Sequence, residues 1–150
     1  MPNHVTNKIE ITSANAKDAL DFMRTDACEF DFNKVIPMPE ALNVESGSRT
    51  DAALAYALSE GFKSELTADQ IEKYFEDGFF DSKDGVAQRD LATAQRLIDD
   101  KSETAENLLK LGQQIISNVD TYGAKTWYQW AIPNWGTKWN AYDVNVEEAH

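Results

Sequence analysis

WYQWAIPNWGTKWNAY, residues Trp127 to Tyr142, carries all four tryptophans of the chain. Trp127, Trp130 and Ala131 recur at helical spacing, and Gly136 stands where a helix needs a residue that tolerates positive φ in order to stop. The spacing therefore predicts a helix from about Ala124 to Asn134. Pro133 lacks a backbone donor and crowds the preceding turn, so that helix is expected to end or tighten there. Beyond Gly136, Thr137, Trp139 and Ala141 alternate with Lys138, Asn140 and Tyr142, the period of a strand with aromatic and β-branched content. The result is a helix–turn–strand unit whose indoles are placed to anchor a core, their N–H groups hydrogen-bonded. The same four rings could instead form an aromatic cage or a base-stacking platform.

The other end of the chain has strand character too. In MPNHVTNKIEITS, Val5, Asn7, Ile9 and Ile11 share one face and Thr6, Lys8, Glu10 and Thr12 the other, the pattern of a half-buried strand. Ala16, Ala19, Leu20 and Met23 then recur at helical spacing, with Ser13 or Asn15 as N-cap. Cys28, Phe30 and Phe32 alternate with Glu29 and Asp31, so the first third reads β-α-β. Pro37, Pro39 and the Ser46–Gly47–Ser48 run mark a linker.

From there to about Tyr122 the period is helical. Thr50 can cap a short helix carrying Leu54, Ala57 and Leu58, which Gly61 would end. Thr67 and Gln70 form a capping-box pattern before Ile71, Tyr74 and Phe75, and Gly78 is expected to close that helix. Ala87, Leu91, Ala94 and Ile98 make a third stripe. A fourth helix starting near Ser102 presents Leu108, Leu111, Ile115 and Val119. Gly112 lies on its apolar face, either to let another helix approach closely or as a tolerated weak point.

The 150 residues fit one domain with a sizeable core. A hydrophobic content of 42% and a charged content of 27% argue against disorder. The single cysteine, Cys28, cannot make an internal disulfide, and no charged-then-apolar leader or long apolar run is visible, so a reducing cytoplasm is the expected compartment. The net charge of −12 disfavours direct binding of nucleic acid and favours basic partners. That excess belongs to the helical middle. Residues 40–110 hold sixteen acids and eight bases, whereas residues 1–39 hold six and four, and residues 111–150 four and two. Asp69, Glu72 and Glu76 are expected on the side of their helix away from Ile71, Tyr74 and Phe75, while Asp99, Asp100, Glu103 and Glu106 crowd the junction of the last two middle helices. These seven residues are either a solvated face or a recognition surface for a basic partner.

MPNHVTNKIEIT, FDFNKVIPMPE and NWGTKWNAYD resemble the Api92-like family, also described as having a YubB-like ferredoxin-like domain, found in phages, plasmids and bacterial mobile elements. The resemblance covers motifs at both ends and leaves out the helical middle. It implies an α+β fold with a ferredoxin-like antiparallel sheet, built from residues 1–36 and 124–146, with the acidic helices of about residues 50–122 as an insertion. In the family more chain usually follows NAYDV, so the sheet here is expected to lack its fourth strand or to be completed by a partner. The motif residues Asn3, His4, Trp135, Gly136, Trp139, Asn140 and Tyr142 are expected to be structural.

Catalytic and metal-binding readings have little support. The only histidines are His4 and His150, too few for a His-rich metal site. Aligning Gly85 of DSKDG with the turn glycine of a calcium loop puts Phe80 and Leu91 at the first and last ligand positions, which rules that loop out. No phosphate-cradling glycine motif is present. No metal or cofactor is therefore expected. The expectation is an accessory protein of a phage or mobile element that works by binding, most concretely an acidic inhibitor of a nuclease or CRISPR effector, in the manner of anti-CRISPR or anti-restriction proteins. Two alternatives remain. One is a small hydrolase or nucleotide-modifying enzyme using His4 or a carboxylate pair; the other is an assembly module, such as a homodimer, pairing through an open sheet edge.

Overall fold

The computed structural model describes residues 4–147. The chain separates into two compact units, Met38–Lys138 and the combination of Met1–Pro37 with Trp139–His150.

In the first of these, the organising element is α2 (Ser48–Leu58), whose residues Ala52, Ala53, Leu54 and Ala55 are completely buried. Alanine loses no side-chain entropy on burial and keeps the helix thin, so neighbours can pack on several sides of it. Those neighbours are α4 (Lys83–Asp99) and α5 (Ala105–Tyr122). Leu54, Ala55 and Leu58 pack with Tyr74, Phe75, Val86, Ala87 and Ile115; Ala52, Ala53 and Tyr56 pack with Ala94 and Leu108.

Gly112 sets the spacing between α2 and α5. A Cβ at that position would lie 2.1 Å from the carbonyl oxygen of Ala53 and 2.5 Å from Cβ of Ala57. Of the two roles open to this glycine, close helix approach is the one the packing shows. Farther along α5, buried Asn118 donates from Nδ2 to the carbonyls of Ala41 (2.9 Å) and Lys125 (3.0 Å), while its Oδ1 accepts from Gln114 (2.9 Å). One side chain thus satisfies two backbone carbonyls, one in the 3₁₀ turn Glu40–Leu42 and one before the helix Trp127–Trp135, beside a third cluster, Leu42, Ala124, Trp130 and Ala131.

Local chemistry accounts for the remaining helices. α3 (Ala68–Tyr74) opens with the reciprocal Thr67–Gln70 capping box but ends at Tyr74, before Gly78. α6 (Trp127–Trp135) continues through Pro133 and stops at Gly136, which has φ +75°. Trp130 and Trp135 pack edge to face at 5.3 Å. Trp139 belongs to the other unit, so the four indoles do not all serve one core.

The terminal unit contains α1 (Ala16–Met23), a 3₁₀ turn at Phe32–Lys34 and the segment 139–147. None of its described residues is fully buried. The expected ferredoxin-like sheet is not formed: among the described residues there is no strand, and the fold is all-helical. Each predicted strand has a visible competitor or lacks a partner. Residues 4–12 have the right alternation, yet both faces are exposed, with Val5 at 73% and Ile9 at 67%. In the second candidate strand, Asp31 caps the 3₁₀ turn through the Asn33 N–H (2.9 Å), and Thr25 and Cys28 exchange backbone hydrogen bonds. Side-chain-to-backbone bonding of this kind replaces a ladder.

Asn140 does the same for the third. Its Oδ1 accepts from the N–H groups of Phe32 and Ala141, both at 2.9 Å, and its Nδ2 donates to Asp31 Oδ1 at 2.8 Å. With no sheet among the described residues, the open sheet edge on which the assembly alternative rested is absent there.

Gly112→Ala is expected to destabilise the chain by about 1–3 kcal/mol, because overpacking outweighs the roughly 1 kcal/mol that helix propensity alone would return. Urea unfolding checks the sign, and an unchanged or raised midpoint would remove the close-approach account. For the terminal unit, Asn140→Ala is expected to speed hydrogen exchange at the Phe32 amide by roughly five- to tenfold, the kinetic equivalent of one lost hydrogen bond.

Candidate protein-binding surface

The seven acidic residues singled out by sequence fall into two groups, separated along α4. Asp84 in its first turn and Asp99 in its last are about 22 Å apart at 1.5 Å per residue, so the acids flanking these two ends form separate patches.

At the α4–α5 turn most of the charge is already answered. Glu103 is paired with Arg49 at 2.5 Å and its side chain is only 12% exposed; Asp100 lies 3.6 Å from Arg96, and Glu106 3.1 Å from Lys110. The hydrogen bond from Arg49 holds Glu103 below the ordinary glutamate pKa, and bonds from Ser102 do the same for Asp100. Asp99 accepts from Gln95 at 2.8 Å. Internal pairing of this kind leaves little field for a partner.

The patch around α3 and the loop before α4 differs. Asp69, Glu72, Glu76, Asp77, Asp81 and Asp84 are all exposed. Against these six acids, residues 69–84 contain two bases, Lys73 and Lys83. Lys73 is engaged by Asp120 at 2.7 Å, Lys83 pairs with Glu72 at 3.0 Å, and Arg89 from α4 lies 3.9 Å from Asp81. Among the described residues, Asp69 and Glu76 make no ion pair. Because α3 ends at Tyr74, Glu76 reaches this surface from extended chain after the helix, not from a helical stripe.

Sequence reading missed two features here. The first is a pair of exposed rings, Phe79 and Phe80, at the tip of the loop between α3 and α4. The dipeptide itself, set among acids, was the available signal. The second is the carboxylate pair Asp51 and Asp90, brought together by α2 and α4. Asp90 has a side-chain exposure of 7% and accepts from Arg89 at 3.3 Å. Desolvation raises its pKa first and the nearby charge of Asp51 raises it further, while Arg89 and Lys125 pull it down. Asp51 is also raised, mainly by desolvation, against the attraction of Lys125 and Arg89 and with the added repulsion of Glu76. No spacing along the chain could reveal this pairing, since the partners are 39 positions apart on different helices.

Four of the seven motif residues, His4, Trp139, Asn140 and Tyr142, lie in the terminal unit. His4 Nδ1 is in hydrogen-bond contact with the Tyr142 hydroxyl, and the His4 ring lies 6.0 Å from that of Trp139. Asn140 joins Asp31 and Phe32 as described above. Burial raises the Asp31 pKa, but hydrogen bonds from Asn140, Asn33 and Thr25 outweigh this and leave it below the ordinary value. Trp135 and Gly136 belong to the helical unit, at the end of α6. Asn3 and His150 lie outside the described residues.

Among the described residues, no group of three or more His, Cys, Asp or Glu side chains is arranged to hold a metal ion. Nor is any described helix long and apolar enough to cross a membrane. Compared with known family models, curated proteins and solved structures, the chain matches none.

The raised Asp90 pKa makes a signed prediction. The folded chain holds this proton more tightly than the unfolded chain, so the associated stability is fully present below the ordinary value of 3.8 and is lost as pH rises through the raised one. Asp90→Asn removes that loss. Its melting temperature is expected to exceed that of the parent at pH 7, with the gap closing as pH falls below 3.8; a pH-independent gap would show that folding does not raise this pKa, and one of opposite sign that the Arg89 pair outweighs desolvation.

Proposed function

We propose that this chain is a small accessory protein of a phage or mobile element that acts in the bacterial cytoplasm by binding a basic host protein. The reading is carried by one observation: six exposed carboxylates on α3, the following loop and the first turn of α4, against two bases in that stretch that are both engaged and Arg89, which lies 3.9 Å from Asp81. Carboxylates that face solvent can occupy positions that phosphates take on a nucleic-acid-binding protein, and such attraction steers association. An inhibitor of a nuclease or CRISPR effector is the most concrete form of the proposal. The bacterial mobile-element origin is supported by the terminal motifs that resemble the Api92-like family; the fold that resemblance implied plays no part in it.

A catalytic role is not proposed. Of the two close carboxylates, Asp90 is covered by its own helix packing and held by Arg89, which leaves it poorly placed to meet a substrate.

Affinity capture from a phage-susceptible bacterial lysate tests the proposal. The expected catch is a basic nucleic-acid-processing protein that is released at high salt and reduced about tenfold or more by Asp69→Lys/Glu72→Lys/Glu76→Lys. A catch indifferent to both salt and charge reversal would remove the phosphate-mimic mechanism.

A further inference from the structure

Phe79 and Phe80 are each 91% exposed, and their rings pack edge to face with centroids 4.5 Å apart. A lone exposed aromatic is ordinary, but two adjacent ones at a loop tip make a compact apolar projection. The loop beneath them is fixed at several points. Gly78 N–H donates to the Asp81 carbonyl at 2.9 Å, closing the loop below the rings. Asp77 accepts from the Lys83 N–H at 3.1 Å, tying the ascending side to the first turn of α4, and Ser82 caps that helix through Gly85 N–H at 3.3 Å. A Cβ on Gly78 would lie 3.1 Å from Val86, so the base of the loop rests directly on a core residue. Phe75, 2% exposed, anchors the other side. The rings are therefore held out by a built stem, and presenting them costs little further ordering when something covers them.

The charges around the tip decide what that something is. Glu76, Asp77, Asp81 and Asp84 flank the two rings; Lys83, the one base between residues 76 and 84, is paired with Glu72, and Arg89 of α4 lies 3.9 Å from Asp81. A second copy meeting this one through the same surface would bring four more carboxylates against these four. An anionic bilayer would repel them in the same way. A surface with an apolar pocket rimmed by Lys or Arg would satisfy both the rings and their surroundings.

We infer that Phe79 and Phe80 form the apolar anchor of the acidic surface, inserting into an apolar pocket with a basic rim on a partner protein. The inference rests on the proposed binding function and specifies where its short-range contact lies. It assigns distinct jobs to the two kinds of residue: the carboxylates set salt-dependent encounter, and the rings set residence time, as buried aromatic anchors do elsewhere.

The probe is a displayed library of random peptides, panned against the immobilised full chain at low salt. Enriched peptides are then measured in solution against the parent chain, Phe79→Ala/Phe80→Ala and Glu76→Gln/Asp84→Asn. The expected peptides combine Lys or Arg with large apolar residues. Their affinity should fall about tenfold or more for the phenylalanine variant, mainly through faster dissociation, and should fall with added salt for the parent. Because both rings are exposed, the phenylalanine variant should melt with the parent, which separates lost binding from lost folding.

Peptides that need Glu76 and Asp84 but bind the phenylalanine variant equally well would leave the basic-partner reading standing and overturn the anchor. Peptides that need the rings but ignore salt and the carboxylates would overturn the basic rim and, with it, the charge-led reading. A parent chain that sediments as a dimer and becomes a monomer on loss of the rings would make a second copy the occupant and overturn the proposed partner. Failure to enrich any peptide that distinguishes the parent from the phenylalanine variant would likewise count against the anchor.

Discussion

The close contact of α2 with α5 at Gly112 is the constraint on which the helical unit depends. An alanine-rich helix offers little apolar area of its own, so it is useful in a core only if its neighbours come near enough to fill the space around it. Gly112 removes the one Cβ that would hold α5 off the Ala53 carbonyl. Leu108 and Ile115, one helical turn either side of that glycine, are then brought against α2, and Leu108 joins Ala52, Ala53 and Tyr56 while Ile115 joins Leu54, Ala55 and Leu58. Farther along the same helix, Asn118 reaches the carbonyls of Ala41 and Lys125. The helix seated by Gly112 thus also carries the side chain that bonds the backbone beside the smaller tryptophan-containing cluster.

Where the sequence was legible, the signal was local and redundant. The Thr67–Gln70 box and the glycine that ends α6 each combine a period with a terminus signal, the α4 stripe is a clear period, and each corresponds to an element in the structure. Alternation in the terminal segments was a weaker kind of signal. A strand is defined by a partner's backbone, and nothing in the period-2 pattern of Val5–Thr12 says that a partner exists. At Asp31 and Asn140 the alternation coincided with side chains able to bond the backbone themselves, and these local bonds replaced the ladder. The resemblance at both ends of the chain reinforced the sheet expectation without adding an independent physical reason for it.

The candidate surface was legible in composition and only partly in position. Excess acid in the middle of the chain could be counted directly, but counting does not distinguish a paired carboxylate from a free one. Arg49 reaches Glu103 across 54 positions, and Lys73 reaches Asp120 across 47, so the bases that neutralise particular acids come from other helices. The early end of α3 also moved Glu76 from a helix face into the loop. In the sequence that loop is legible only as a glycine-containing break between two helices.

These differences bear on how binding energy would be distributed. Exposed carboxylates act over about one Debye length and are worth little each at contact, since water and salt screen them. A surface made only of such groups would attract many basic proteins and hold none for long. Selectivity requires a contact that is lost if the partner's shape is wrong, and large apolar side chains on a fixed support meet that requirement. The stem formed by Asp77, Gly78, Asp81 and Ser82 supplies the support, Phe75 and Val86 tie it to the core, and acids stand on either side of the rings. On the proposed reading, the charge that would attract a basic protein is the same charge that opposes contact between the exposed phenylalanines of two copies of the chain.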